Sequence, residues 1–222
     1  MVLAAMHFAP VEAYAWFREG ALVEDAQAQA WFGSCLGLLV LFRRARPPRW
    51  PLGFLLFASL LVWVEEISWG QRLLGFDPPA LMAEVNRQGE FTLHNLGPLQ
   101  QMRHGFLAFA AVLGLVGVVA RRRLARSFPA LGPVLPGPPL VPVFLLVLAG
   151  ILAMLRGWFW FDARSLGLPP AAPGRFVSET LEFFLAVTWC GLVWCGVLRG
   201  GPSGQLPASP SSASTSGTKR TS

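Results

Sequence analysis

The chain has 222 residues, of which 54% are hydrophobic and 14% are charged, whereas about 25% of the residues of an ordinary soluble domain are charged. Its mean hydropathy is +0.50, so its polar residues are too few to cover the surface of a soluble fold. The net charge of +6 indicates membrane topology and excludes nucleic-acid binding, because eight of the 18 basic residues form two short arginine clusters at the ends of apolar runs and no nucleic-acid-binding motif accompanies them. We therefore predict an all-α, polytopic membrane protein whose immediate partner is the lipid bilayer.

Five apolar segments are long enough to be predicted as transmembrane helices, since a hydrocarbon core of about 30 Å takes roughly 20 helical residues. The first is the least apolar, because acidic and amide residues crowd its start. It carries Gly33 and Gly37, a small-xxx-small pair that allows another helix to approach closely. In the second, the apolar run meets Glu65 and Glu66. The predicted spans cover residues 21–42, 51–70, 104–120, 140–160 and 176–198.

The arginine clusters predict the orientation of the bundle. One cluster lies between spans one and two and another follows span three, and loops rich in Arg and Lys stay on the cytoplasmic side. The N-terminus is therefore predicted outside and the C-terminus inside the inner (plasma) membrane of the cell, and loops 71–103 and 161–175 face outward. The clusters consist of Arg43, Arg44, Arg46 and Arg49, and of Arg121, Arg122, Arg123 and Arg126.

Two segments differ in composition from the spans. Residues 127–139 are a Pro/Gly-rich connector between spans three and four that cannot be helical throughout. Residues 200–222 are mostly Gly, Pro, Ser and Thr, and such a tail cannot bury enough apolar surface to order itself. We therefore predict one helical membrane domain over residues 1–199 and a disordered cytoplasmic tail over residues 200–222.

Carboxylates near membrane depth are the first candidates for function, because a charge inside the hydrocarbon costs at least a few kcal/mol. Glu65 and Glu66 end the apolar part of span two, and Glu179 and Glu182 open span five. The two spans run in opposite directions, so a rise of 1.5 Å per residue places the four carboxylates at a similar depth near the outer face. Neighbouring carboxylates repel, so a cation, a metal ion or a proton is expected among them.

The outward loop adds a second polar string, in which Glu90 and His94 are spaced so that one helical turn would bring them together. Amide side chains and Arg72 flank these residues and could bind a phosphate or a carboxylate. The predicted catalytic residues are Glu65, Glu66, Glu90, His94, Glu179 and Glu182, and the predicted substrate-binding residues are Gln71, Arg72, Asn86, Gln88 and Asn95.

Two strings of this chain, EEISWGQRLLGF from Glu65 and NRQGEFTLHNLG from Asn86, resemble the signature of a family of uncharacterised bacterial multi-pass membrane proteins. In that family a Glu-Glu-x-Ser-Trp-x-Gln-Arg stretch precedes an Asn-x-Gln-Gly-Glu stretch that leads to a His-Asn pair. The resemblance implies a multi-pass membrane protein and assigns no activity. The matching positions are Glu65, Glu66, Ser68, Trp69, Gln71, Arg72, Asn86, Gln88, Gly89, Glu90, His94 and Asn95.

Three kinds of function stay open from the sequence. The first is a membrane-embedded enzyme that acts on a lipid or lipid-linked substrate at the outer leaflet. Carboxylates together with one His would suit a divalent metal, although the HExxH spacing of zinc proteases is absent. The second is a non-enzymatic membrane subunit or assembly factor, in which Glu65 and Glu66 form structural ion pairs with Arg72 or Arg103. The third is an ion or proton pathway, which the absence of charged residues from the middle of spans three and four disfavours.

The number of polar groups at one aqueous face slightly favours the enzyme over the structural subunit. Ion pairs that only hold helices together seldom require so many exposed groups on one side of the bilayer.

Overall fold

A computed structural model describes residues 22–80, 92, 97–156 and 172–199 of the chain. All regular secondary structure in this part is helical, which confirms the all-α part of the predicted fold class. Six α-helices are described, and short 3-10 segments lie between α2 and α3 and between α4 and α5. The α-helices are α1 (Leu22–Arg44), α2 (Trp50–Glu66), the short α3 (Gln71–Leu74), α4 (Gly97–Ser127), α5 (Val141–Leu155) and α6 (Ala172–Arg199). The predicted disordered tail, residues 200–222, lies outside the described residues.

Three helical segments of the described part are long and apolar enough to cross a membrane, and they correspond to predicted spans three, four and five. They are Met102–Ser127, Pro138–Leu155 and Phe176–Arg199. Helix α2 has 17 residues, one fewer than the 18 residues that the same length criterion requires. Helix α1 has 23 residues, but its first turn is acidic. Length and composition therefore establish a membrane-compatible helical protein and leave the predicted count of five undecided.

Helix α6 lies at the centre of the described bundle, and each neighbouring helix runs either parallel or antiparallel to it. Gln27 of α1 bonds to the first turns of α6 and Arg44 bonds to its last turns, so α1 and α6 are parallel. Helix α2 is antiparallel to α1, since Phe32 stacks near Trp63 with ring centroids 5.0 Å apart. Helix α4 begins beside the start of α6. One end of the bundle, here called the acidic end, thus holds the starts of α1, α4 and α6 and the end of α2. The opposite end is called the arginine end.

Two hydrophobic cores form along α6, one on each half of the helix. The half nearer the acidic end packs with α4 and α5, and the other half packs with α1, α2 and the connector. The first core contains Leu107, Ala111, Phe144, Val147, Ile151, Val177 and Leu181. The second contains Leu38, Leu41, Leu52, Val134, Val193 and Val197. Because α6 contributes to both cores, it holds the two halves of the bundle together.

The small-xxx-small pair of α1 lies on the surface that packs against α6. A Cβ atom added at Gly37 would lie 2.6 Å from Val193 Cγ1, and one added at Gly33 would lie 3.2 Å from Cys190 Sγ. The close approach lets the Trp194 indole Nε1 donate a hydrogen bond of 3.1 Å to the Gly33 carbonyl oxygen. The predicted packing role of this pair is therefore confirmed.

The Pro/Gly-rich connector folds back into the arginine end of the bundle. It forms two 3-10 segments, Pro129–Val134 and Pro138–Leu140, which confirms that it cannot be an α-helix throughout. Its Val134 is 3% exposed. Two glycines make room for it: a Cβ at Gly117 would lie 2.9 Å from Pro136 Cγ, and a Cβ at Gly196 would lie 2.7 Å from the Pro133 carbonyl oxygen.

Replacing Gly196 with alanine is expected to lower the free energy of unfolding by about 1–3 kcal/mol, because the new methyl group meets a backbone carbonyl that cannot rotate away. Gly191→Ala on the same helix is the matched control, since its Cβ would meet nothing within 4 Å. The control should be neutral or up to about 1 kcal/mol more stable, because alanine is the better helix former. Thermal unfolding in detergent measures both. Equal stabilities of the two variants would show that the connector does not press on α6.

Candidate functional site

The two ends of the described bundle carry opposite charge. At the arginine end, the charged side chains at the ends of α1, α4 and α6 and at the start of α2 are all basic. They are Arg43, Arg44, Arg46, Arg49, Arg121, Arg122, Arg123, Arg126 and Arg199. At the acidic end, the described carboxylates of these helices are Glu24, Asp25, Glu65, Glu66, Glu179 and Glu182. The carboxylates that the sequence selected therefore lie together at one end of the fold.

Arg103, at the start of α4, connects two of these carboxylates on α6. Its Nη1 lies 3.3 Å from Glu179 Oε1, and its Nε lies 3.5 Å from Glu182 Oε1. Its Nη2 donates a hydrogen bond of 2.6 Å to the Ser178 hydroxyl. Glu179 is 5% exposed and Ser178 is fully buried. The guanidinium is thus the cation that offsets the repulsion between the two carboxylates.

Gln27 brings α1 to the same place. Its side chain is 1% exposed, and its Nε2 donates a hydrogen bond of 3.1 Å to the backbone carbonyl oxygen of Glu179. Its Oε1 accepts no hydrogen bond from the described residues, although a buried amide oxygen normally has a donor. Gln27 is one of the polar residues at the start of the first predicted span. Its structural role is to attach α1 to α6 beside Arg103.

The first of the two polar strings forms a left-handed turn at the end of α2. Ser68 and Trp69 have φ values of 50° and 53°, and Gly70 follows with a φ of 86°. Left-handed backbone costs a non-glycine residue roughly 1–2 kcal/mol, and such strain is concentrated at functional sites. The turn buries Ser68 completely and lets Trp69 Nε1 donate a hydrogen bond to Glu65 Oε1. It also ends the helix at Glu66, four residues before the predicted end of span two.

The structure brings some of the predicted site residues together. Glu179 and Glu182 meet at Arg103, and Glu65 is held by Trp69 at the same end of the bundle. Gln71 begins α3. That Glu65 or Glu66 meets Glu179 or Glu182 stays a prediction. The loop residues Asn86, Gln88, Glu90, His94 and Asn95, and the side chain of Arg72, lie outside the described residues.

Three residues of the cluster were not among the predicted site residues. The sequence offers Arg103 as an ion-pair partner of Glu65 and Glu66, but its described partners in the structure are Glu179 and Glu182. Ser178 and Gln27 were missed altogether. The spacing of Ser178, Glu179 and Glu182 on one face of α6 was an available signal, because Arg103 stands at the matching depth of the parallel helix α4. Gln27 offered no signal, since its partner is a backbone carbonyl group.

The described residues contain no group of three His, Cys, Asp or Glu side chains placed to hold a metal ion. The divalent metal considered from the sequence would need Glu90 and His94, so that possibility stays a prediction.

No family model, no curated protein and no solved structure matches this chain. A functional assignment therefore rests on the geometry of the site and of the space beside it.

A cleft of about 580 Å³ extends along the bundle from the side of Arg103, Glu179 and Glu182 towards the arginine end. Helix α2 forms one wall, α4 forms the other, and α6 forms the base. Its lining is almost entirely apolar. Leu185 lies one turn beyond Glu182 on α6 and Val62 lies one turn before Glu66 on α2, so the lining of the cleft ends one turn from these two carboxylates. The site thus combines charged groups at one end with an apolar space along the helices.

Proposed function

We propose that this chain is a five-span protein of the bacterial inner membrane that acts as an enzyme on a lipid or lipid-linked substrate at the extracytoplasmic leaflet. The observation that carries the proposal is the position of the cluster of Arg103, Glu179 and Glu182, at the same end of the bundle as Glu65 and Glu66. Charged groups at that depth are costly and are therefore kept where they have a role. The apolar cleft beside the cluster fits the hydrocarbon part of such a substrate.

The packing of α1 and α2 supports five spans over three. Helix α1 lies parallel to α6 from the bond of Gln27 to the bond of Arg44, and α2 returns antiparallel beside it. At 1.5 Å per residue, α1 is about 35 Å long and α2 about 26 Å long, against a hydrocarbon core of about 30 Å. Helices that lie beside a span over its whole length occupy the same slab of lipid.

The charge distribution supports the orientation. The arginine end is the cytoplasmic one, because excess Arg and Lys stay inside, and the acidic end then faces outward. The N-terminus is outside and the C-terminus inside in this arrangement.

The chemistry of the proposed site is acid–base catalysis by carboxylates near an aqueous face. Arg103 holds Glu179 and Glu182 in place, and Glu65 or Glu66, with His94 from the outward loop, would transfer the proton. Arg72, with the amide groups of Gln71, Asn86, Gln88 and Asn95, would bind a phosphate or carboxylate of the headgroup. Glu90 and His94 are the residues that would hold a divalent metal if one takes part.

A second candidate is a non-enzymatic membrane subunit or assembly factor, and one observation favours it. Arg103 contacts Ser178, Glu179 and Glu182 at once, so these groups already join α4 to α6. For them, a structural role accounts for the geometry. An ion or proton pathway has less support, because α5 carries no charged residue and α6 carries none between Glu182 and Arg199.

Replacing Glu66 with glutamine is expected to slow turnover of a lipid substrate by about 10²–10⁴-fold, which is the usual contribution of a general acid or base. The full chain is reconstituted in vesicles made from a total bacterial lipid extract, and loss and gain of lipid species over time are followed by mass spectrometry. Asp25→Asn is the matched control, because Asp25 is an exposed carboxylate at the same end of the bundle. It should turn over lipid at the wild-type rate.

A double-mutant cycle of Glu66→Gln with Glu182→Gln, read by thermal unfolding in detergent, separates the two candidates. Residues of one polar network usually show a coupling energy of about 0.5–3 kcal/mol. Coupling in a protein that changes no lipid species would contradict the enzyme and favour the structural subunit. Strict additivity would contradict a single site that contains both carboxylates.

A further inference from the structure

The cleft between α2 and α4 is almost entirely apolar and offers water few partners. Two polar atoms of its lining, Trp189 Nε1 and Ser59 Oγ, hydrogen-bond to each other at 3.0 Å, and Ser59 is 3% exposed. A buried water needs two to four polar partners, so the cleft is a poor site for water. A void of this size without any occupant would forfeit the dispersion contacts of its lining. The occupant is therefore apolar.

The size of the cleft restricts that occupant to something thinner than a helix. A transmembrane helix about 10 Å wide and 30 Å long fills roughly 2,400 Å³, whereas the cleft measures about 580 Å³. A whole helix from a second copy of the chain or from a partner protein therefore cannot enter the cleft. The volume is within the range of pockets that bind small molecules.

The cleft is closed at the arginine end. Its lining at the arginine end comes from the connector, through Leu131, Val134, Leu135 and Pro136. The connector packs closely against α4 at Gly117 and against α6 at Gly196. At the other end, Val62 and Leu185 lie one turn from Glu66 and Glu182. An elongated molecule with one polar end is therefore accommodated with its polar end towards the carboxylates.

We propose that this cleft binds a single hydrocarbon chain of a membrane lipid, with the lipid headgroup at the acidic end and the tip of the chain against the connector. The inference rests on the proposed function for the identity of the headgroup and adds a binding site for the chain. It also assigns a role to the Pro/Gly connector, which closes the site and limits how far the chain reaches.

Retained lipid tests the proposal directly. The full chain is extracted from membranes in mild detergent, passed through gel filtration, and its lipid is extracted and counted per protein by mass spectrometry. Wild type is expected to retain about one lipid per chain. Ala110→Phe on α4 and Ala58→Phe on α2 place a ring in the cleft from opposite walls and should retain at least about tenfold less lipid, because they exclude the chain sterically. Ala110 is exposed, so its substitution disturbs little protein packing.

Val119→Phe is the matched control for Ala110→Phe. It lies on the same helix nine residues further along, which is half a turn around the axis; it is 88% exposed and does not line the cleft. It should retain as much lipid as wild type. Equal retention by Ala110→Phe and Ala58→Phe would overturn the proposal, as would a wild-type protein without lipid or an equal loss in Val119→Phe.

A second measurement locates the lipid chain in the wild-type protein. Wild-type protein in vesicles of phosphatidylethanolamine and phosphatidylglycerol, doped with a phospholipid that carries a diazirine at the tip of one chain, is irradiated and digested. Adducts are expected at Leu131 or Pro136, which the chain reaches through the cleft, and Ala110→Phe should remove them. Their absence would overturn the proposal. Turnover is measured separately, so lipid retention without turnover would contradict the proposed enzyme alone, and turnover without retention would contradict the chain site alone.

Discussion

Arg103→Met is expected to lower the free energy of unfolding by about 2–4 kcal/mol, somewhat less than the usual effect of removing one partner of a fully buried ion pair, because the pair is partly exposed. The Arg103 side chain is 24% exposed and that of Glu179 is 7% exposed. The variant would leave Glu179 and Glu182 side by side at the start of α6 without the guanidinium that separates them. Methionine keeps much of the length and apolar contact of the arginine side chain, so the loss reports mainly on the charge. Thermal and denaturant unfolding in one detergent measure it.

Arg121→Met is the control for Arg103→Met, since Arg121 is an exposed arginine at the other end of the same helix. Its effect should be within about 0.5 kcal/mol of zero, as for most exposed substitutions. Adding Glu179→Gln to Arg103→Met should recover part of the lost stability, because it removes a buried charge that is no longer offset by the guanidinium. A small effect of Arg103→Met, or no recovery in the double variant, would show that the three charged groups are solvated independently.

Gly114→Leu is expected to destabilise the packing of α4 against α5 by about 3 kcal/mol or more, at the upper end of the usual range for overpacking. A Cβ atom at this position would overlap three ring atoms of Phe144. Phe144 is 7% exposed and belongs to the core shared by α4, α5 and α6. Its ring therefore has little space to move aside, and the helices would have to separate. Thermal unfolding in detergent measures the loss.

Gly105→Leu makes the same substitution on the same helix, at a position where the Cβ would meet nothing within 4 Å. It should be neutral or up to about 1 kcal/mol more stable, since leucine forms helices better than glycine. Similar stability of the two leucine variants would mean that α4 and α5 are not held at the described distance.

The helical class and the three helices that are long and apolar enough to cross a membrane could be predicted because each is a local property. Segments such as Met102–Ser127 and Phe176–Arg199 are apolar over more than 18 residues, and a lipid solvent forces such segments to satisfy their backbone groups within a helix. The limits of α2 were harder to predict. The residues after Glu66 continue an apolar pattern, and the left-handed φ of Ser68 and Trp69 follows from the packing of the turn rather than from residues that favour it.

The site was predictable in part for the same reason. Matched depth placed Glu179 and Glu182 at the same end of the bundle as Glu65 and Glu66, because a constant rise per residue converts sequence position into depth. Depth does not specify which faces of two helices meet. Arg103 contacts Glu179 and Glu182, whereas from the sequence it was a candidate ion-pair partner of Glu65 and Glu66.

By itself, the sequence determined a lipid-compatible helical protein with arginine at one end and carboxylates at the other, since hydropathy, helix length and charge position are all readable along one segment. Tertiary structure alone decided that α6 is central, that Gln27 bonds to the backbone of α6, and that the connector closes the cleft between α2 and α4. These features depend on the rotation of each helix about its axis and on close contacts such as that of Gly196 with Pro133. Rotation and contact are set by the packing of many side chains at once, and no single segment carries that information.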